Sequence, residues 1–223
     1  MVELHLIVEG GGQPDDKNTS IANNTEVLRQ SLNSFFSRLL GRDDISIVVS
    51  MGFSYRNAVQ DFLEKNKYYL FVDLDAPKSE KANWFEKLAT ENPNKPLCIP
   101  DERKKDVYFM IQEMEAWFLK QPQCFQKWGV AEGWQRLHPS EKIEDHSLIV
   151  GKNIEDITKP SEKVGILMRH FFEKQIKEGK RRLAKYGKQT VAPALLDSLD
   201  AQVLEQKDSE LQRFKSNIQG NTE

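Results

Sequence analysis

The spacing of apolar side chains changes several times along the chain, and each change marks an element. Val2 to Val8 alternates as a half-buried strand does and ends in Glu9-Gly10-Gly11-Gly12, a carboxylate followed by a flexible turn. Val27, Leu28, Leu32, Phe35, Phe36, Leu39 and Leu40 recur at helical spacing, with Gly41 as a stop. Ile45 to Val49 is a second strand, leading through Met51-Gly52-Phe53-Ser54-Tyr55 into a short helix from Arg56 to about Lys65. Tyr68-Tyr69-Leu70-Phe71-Val72 suits a strand buried on both faces and runs into Asp73-Leu74-Asp75. A helix around Trp84 to Ala89, a loop from Pro93 to Pro100 and a fourth apolar run, Val107 to Ile111, follow. A helix is expected to open directly from that run, over Gln112 to Leu119, with Trp117, Phe118 and Leu119 in the core.

Strands alternating with helices over short connections predict an α/β fold, a parallel sheet covered on both faces and joined by right-handed crossovers. Beyond Gln121 the strand pattern fades. Phe125, Trp128, Val130, Trp134 and Leu137 suggest short helices or packed loops. Glu162 to Arg182 reads as one longer helix with a stripe of Val164, Leu167, Met168, Phe171, Phe172 and Ile176. Pro193 to Phe214 reads as a last amphipathic helix, and Ser216 to Glu223 as a frayed tail. The expected organisation is an α/β domain over 1–120 and a helical C-terminal subdomain over 121–223.

Composition adds class and compartment. A chain of 223 residues, 39% hydrophobic and 30% charged, can bury one good core. No apolar run approaches the ~20 residues that cross a bilayer, and Met1-Val2-Glu3-Leu4 lacks the basic start of a signal peptide. Two cysteines, Cys98 and Cys124, fit a reducing cytoplasm and offer neither a zinc site nor a disulfide framework. A cytoplasmic protein without membrane contact is expected. The formal charge of −2 conceals a basic stretch: Lys174 to Lys188 holds seven Lys or Arg and one acid, Glu178.

Candidate chemistry gathers where the strands end. Side chains alternate along a strand, so Asp73 and Asp75 are expected on one face and Leu74 on the other. Two carboxylates at the end of a buried strand are costly without a positive partner, and a divalent cation is the simplest one. The alternative is that Asp75-Ala76-Pro77 opens a turn and caps the next helix. Glu9, Asp73, Asp75 and Glu115 all fall at or just past strand ends, so one crevice can collect them.

The glycines after Glu9 do not make a nucleotide loop. Lys17 lies between Asp16 and Asn18 rather than in Gly-Lys-Ser/Thr, and Gln13 to Asp15 supplies no third glycine. Gly10 instead lets the backbone approach a bound phosphate or metal, or simply makes the turn. Arg56 is either a phosphate partner in the same crevice or a surface cation. Lys180, Arg181, Arg182, Lys185 and Lys188 suit a nucleic-acid backbone, or form a solvated helix face, with Tyr186 available to stack on a base. His5, His138, His146 and His170 share no metal-ligand spacing.

Glu9-Gly10 after the first strand and Asp73-Leu74-Asp75 after the third, in that order and separation, resemble the TOPRIM domain, the Rossmann-like fold of topoisomerases, primases and OLD-family nucleases. The run Val107 to Leu119, with Gly52, Arg56, Lys185-Tyr186 and Lys188, is similar to a narrower bacterial TOPRIM-like family often encoded beside AAA or ABC ATPases. The resemblance implies that Glu9 manages a proton while Asp73 and Asp75 hold Mg²⁺, with Mn²⁺ as a substitute. Glu115 is the choice for a further metal ligand, and Glu113 is set aside because it would lie on a different helix face. It further implies a Mg²⁺-dependent nuclease that cleaves or nicks DNA, controlled by an ATPase partner and serving anti-phage defence. DNA is expected rather than RNA, for which the chain carries no binding motif, and a homo-oligomer is compatible with this reading. The chain lacks the additional acidic cluster that OLD nucleases carry after the Asp-x-Asp pair. That departure keeps open a competing reading, a non-catalytic regulatory or scaffold subunit of an ATPase complex.

Overall fold

The structure is a computed structural model and describes residues 1–12, 19–177 and 179–220. Residues 13–18, weighed above as a nucleotide loop, Glu178 and the tail end at 221–223 lie outside the described residues. The chain runs β1 (Val2–Val8), α1 (Thr19–Leu40), β2 (Ile45–Met51), α2 (Tyr55–Glu64), β3 (Tyr68–Asp73), α3 (Lys81–Thr90), α4 (Asp101–Lys104) and β4 (Val107–Met110). It continues with α5 (Ala116–Lys120), α6 (Gln123–Ala131), β5 (Gln135–Arg136), α7 (Pro160–Phe171), β6 (Phe172–Lys177) and β7 (Lys180–Leu183). Three helices close it: α8 (Ala192–Ser198), α9 (Ala201–Glu205) and α10 (Ser209–Gly220).

The first four strands form one sheet in the order β2-β1-β3-β4, and every pairing is parallel. The chain steps from β1 outward to β2, then crosses back to β3 on the other side of β1. The switch point of this topology therefore lies between β1 and β3, whose carboxyl ends carry Glu9 and Asp73.

Helices cover both faces, as the alternation predicts. On one face Leu6, Val8, Phe71, Tyr108 and Met110 pack with Leu32, Phe35, Phe36 and Leu39 of α1, and with Leu196, Leu211 and Phe214 near the C-terminus. On the other, Ile7, Leu70, Val72 and Phe109 pack with Val59 and Phe62 of α2 and Trp84 and Leu88 of α3. Each large apolar side chain so buried contributes roughly 1.5–3 kcal/mol against exposure. Trp117, Phe118 and Leu119 lie in the core as expected, whereas Val27 and Val130 are exposed.

Gly52 shows why the turn after β2 needs glycine. A Cβ there would lie 2.7 Å from the Ala58 Cα, so the end of β2 packs on α2 with no room for a side chain. Gly52→Ala is expected to cost about 1–3 kcal/mol, read as a lower urea midpoint at unchanged slope. An unaltered midpoint would show that α2 yields freely.

Four expectations need correction. The helix expected at Gln112 begins at Ala116, because Gln112 adopts φ +63° and the next residues form a turn held by the Asp73 carboxylate. The helix expected over Glu162 to Arg182 stops at Phe171. Phe172 to Leu183 is instead a hairpin turning at Gly179, φ +73°, which joins β5 in an antiparallel sheet of order β5-β6-β7. Phe172 is buried from that strand, and Ile176 is exposed. The region after Gln121 is thus not helical throughout. Finally, Pro193 to Phe214 is three helices: the carboxylates of Asp200 and Asp208 each accept two backbone N–H bonds at the start of the following helix. Ser216 to Gly220, read as frayed, continues the last helix.

Candidate functional site

At the switch point the backbone brings the acids together. Glu9 follows β1, and its N–H donates to the Phe71 carbonyl at 2.8 Å, extending the ladder past the strand. Its carboxylate Oε2 accepts the Asp73 N–H at 3.0 Å, which ties the ends of β1 and β3 together through a side chain. Gly10, at φ +127°, turns the chain away; a Cβ there would lie 3.8 Å from the Lys188 Cε.

Asp73 is buried. Its Oδ1 accepts the Met114 N–H at 2.8 Å, and its Oδ2 lies 2.7 Å from the Lys188 Nζ. Leu74 packs in the opposite core, as alternation requires. Asp75 departs from it: at φ +52° the residue has left the strand, its N–H donates to the Gln112 carbonyl, and it is exposed. Glu115 is 1% exposed; its Oε1 accepts the Tyr186 hydroxyl proton at 2.6 Å. Glu115 Oε2 is buried with no hydrogen-bond donor, 3.9 Å from the Lys188 Nζ.

Lys188 therefore supplies positive charge where four acids crowd, and its side chain stays 34% exposed. Burial pushes the Glu9 carboxyl up to about 8; the Asp73 charge adds to the rise, and the Asp73 N–H and Lys188 oppose it. Asp75, although its surface is exposed, is raised by partial desolvation of its carboxyl and then by Asp73 and Glu113. Glu115 is raised by burial, against the pull of Lys188. Burial alone would lower the Lys188 ammonium, but Asp73 and Glu115 outweigh it and hold the group above the ordinary lysine range. Tyr186 is raised well above a free phenol by burial and by Glu115.

The other sequence candidates disperse. Glu113 caps α7 through its Oε2, which accepts the Ser161 N–H at 2.8 Å, so it serves the fold. Arg56 donates to the Lys95 carbonyl at 2.5 Å and lies 3.6 Å from the Glu91 carboxylate; these partners lie outside the acidic centre. The basic stretch divides. Lys180 and Arg181 are exposed on the hairpin, with Arg181 paired to Glu173 at 2.7 Å, while Arg182 and Lys185 face a cleft beside the acidic centre. Lys188 belongs to the acidic centre itself, and Tyr186 bonds Glu115 rather than standing free for a base.

Sequence spacing missed a histidine cluster. His138 stacks on His170 at 4.7 Å, His146 lies 5.0 Å from the same ring, and Glu141 approaches His170 at 3.3 Å. Residues distant in the chain meet here only because α7 returns beside the 138–146 loop. No set of three or more His, Cys, Asp or Glu side chains among the described residues is arranged to enclose a metal ion. In the acidic centre the carboxylates turn to Lys188 and to backbone N–H groups instead. The donors are nonetheless the hard oxygens that Mg²⁺ prefers, and Glu115 Oε2 is an acceptor left without a donor.

Residues 19–219 match the family described as a domain of unknown function, DUF4276, and the chain belongs to it. That span includes Asp73, Asp75, Glu115, Tyr186 and Lys188. No curated protein and no solved structure matches the chain. Among the described residues no helix is long and apolar enough to cross a membrane.

Proposed function

We propose that the protein is a TOPRIM-like, Mg²⁺-dependent nuclease whose active centre is the acidic cluster at the β1/β3 switch point. The observation that carries this reading is the meeting of Glu9, Asp73 and Glu115 around Lys188 at the carboxyl ends of three parallel strands. Glu9, Asp73, Asp75 and Glu115 would hold the metal, which supplies charge stabilisation at a phosphodiester. Glu9, joined to β3 by its hydrogen bond to Asp73, is positioned to take or give a proton. The Lys188 ammonium attracts the phosphate and offsets the repulsion among the acids. An ATPase partner that controls access, and a role in defence, belong to the same proposal on the strength of the family resemblance.

One observation favours the competing scaffold reading: the chain's own Lys188 already serves Asp73 and Glu115 as a cationic partner. Nicking of supercoiled plasmid in Mg²⁺ or Mn²⁺ separates the two. The nuclease reading expects nicking by the wild type, and losses on the order of 100-fold or more for Glu9→Gln and for Asp73→Ala/Asp75→Ala. Nicking that persists in these variants would overturn it.

A further inference from the structure

A cleft of about 800 Å³ opens directly beside the acidic centre, within the range of small-ligand sites. Its floor is aromatic. Trp128 is buried, and the half-buried Trp134 stacks on it with centroids 5.5 Å apart and planes 24° from parallel. Its walls are basic: the Arg182 guanidinium lies 5.3 Å from the Trp134 centroid and the Lys174 ammonium 5.8 Å, with Lys185 at the rim and Glu132 as the one lining acid among the described residues. Both cations lie within cation–π range of the ring, so a planar group that stacks on Trp134 must move them aside or share the ring with them.

The hairpin sets these cations against each other. Lys174 and Arg182 are directly paired across β6 and β7, an arrangement of like charges that destabilises a sheet. Lys177 and Lys180 repeat it at the turn. An anion between Lys174, Arg182 and Lys185 would relieve that repulsion, and a planar group beside it would meet Trp134. The cleft also borders the acidic centre: Tyr186 and Gly187 line it, Tyr186 donates to Glu115, and the next residue, Lys188, pairs with Asp73.

We infer that this cleft is the subsite for an unpaired nucleotide of a single-stranded nucleic acid. The base stacks on Trp134, and its flanking phosphates meet Lys174, Arg182 and Lys185. A duplex keeps its bases stacked on one another and cannot present a face to the tryptophan, so the substrate is single-stranded or locally unpaired. The inference rests on the reading of the acidic centre as a phosphodiester-cleaving site, whose substrate it specifies.

The test is fluorescence anisotropy of a labelled oligo-dT of about 12 nucleotides in EDTA, where no metal-dependent cleavage occurs. Wild type is expected to bind the single strand at least about tenfold more tightly than a duplex of equal length. Trp134→Ala is expected to weaken single-strand binding about 5- to 100-fold, with Trp134→Phe within about threefold of wild type. Arg182→Ala/Lys185→Ala is expected to reduce the slope of log affinity against log salt by about 1–1.5. Circular dichroism checks that each variant is folded; if Trp134→Ala is not, the phenylalanine and cation variants decide. Absence of single-strand binding, equal binding of duplex, or folded Trp134 and cation variants indistinguishable from wild type would each overturn the inference. Because binding is read without metal, a working subsite beside a centre that binds no divalent cation would refute the nuclease reading and leave the subsite standing. Cleavage indifferent to Trp134 and to strandedness would do the reverse.

Discussion

Lys188→Met is expected to unfold at a lower temperature than wild type in EDTA, and to regain much of the difference when Mg²⁺ is added. The ammonium lies 2.7 Å from Asp73 and 3.9 Å from Glu115, and both carboxylates are nearly excluded from water. Methionine keeps the length of the side chain and removes the charge. A fully buried pair broken this way costs about 3–5 kcal/mol; Lys188 is one-third exposed, so about 1–3 kcal/mol is expected, a fall in Tm of roughly 2–12 °C for a chain of this size. Recovery follows because a cation that binds only the folded state stabilises it in proportion to the logarithm of its concentration. Differential scanning fluorimetry across a Mg²⁺ series reads both effects. A variant as stable as wild type in EDTA would mean that the acids do not depend on Lys188.

The second large effect is in pH. Glu9 ionises near its ordinary 4.5 in the unfolded chain and at about 8 in the folded one, chiefly through burial and then through Asp73. At pH values between these the unfolded chain has released a proton that the folded chain retains. Deprotonation on the way up therefore favours unfolding. The stability that Glu9 contributes is complete below about 4.5 and is lost as the pH rises through about 8. One pKa unit is worth about 1.4 kcal/mol, so a contribution on the order of 5 kcal/mol is at stake. Glu9→Gln cannot ionise and keeps an acceptor for the Asp73 N–H, so in EDTA its Tm is expected to fall less than that of wild type from about pH 5.5 to pH 8.5. Asp75 and Glu115 are raised in the same direction, so a residual slope remains. Parallel Tm curves for variant and wild type would contradict the assignment.

How much of this was legible in the sequence depended on the range of the interactions involved. The parallel sheet was legible because strands covered on both faces must be nearly continuous apolar runs, and Tyr68 to Val72 and Val107 to Ile111 have no competing reading. The meeting of Glu9 with Asp73 was legible for a related reason: parallel strands end on the same side. The role of Lys188 was not. It follows Asp73 by more than a hundred residues, and local composition groups it with the basic side chains before it. Only the path of the chain from β7 through Tyr186 carries it to the acids.

The hairpin was hidden for a different reason. Val164, Leu167, Met168, Phe171 and Phe172 keep helical spacing up to the residue where the strand begins, and Gly179 is the only strong turn signal after it. Reading the segment as a helix put Lys180, Arg181 and Arg182 on a solvated face and left no reason to connect them with Trp134. Asp200 and Asp208 each cap a new helix, but the apolar spacing from Pro193 to Phe214 runs through both and hides the breaks.

The central claim is that the acids at the β1/β3 switch point form a site for a divalent cation, and binding tests it more directly than catalysis, which a partner can silence. The measurement is titration of Mn²⁺ into the purified protein, followed by electron paramagnetic resonance of the free ion, for wild type and for Asp73→Asn. Saturable binding by wild type that Mg²⁺ displaces, weakened at least about tenfold in Asp73→Asn, is the predicted result. Equal binding by the two proteins, or none by either, would contradict it.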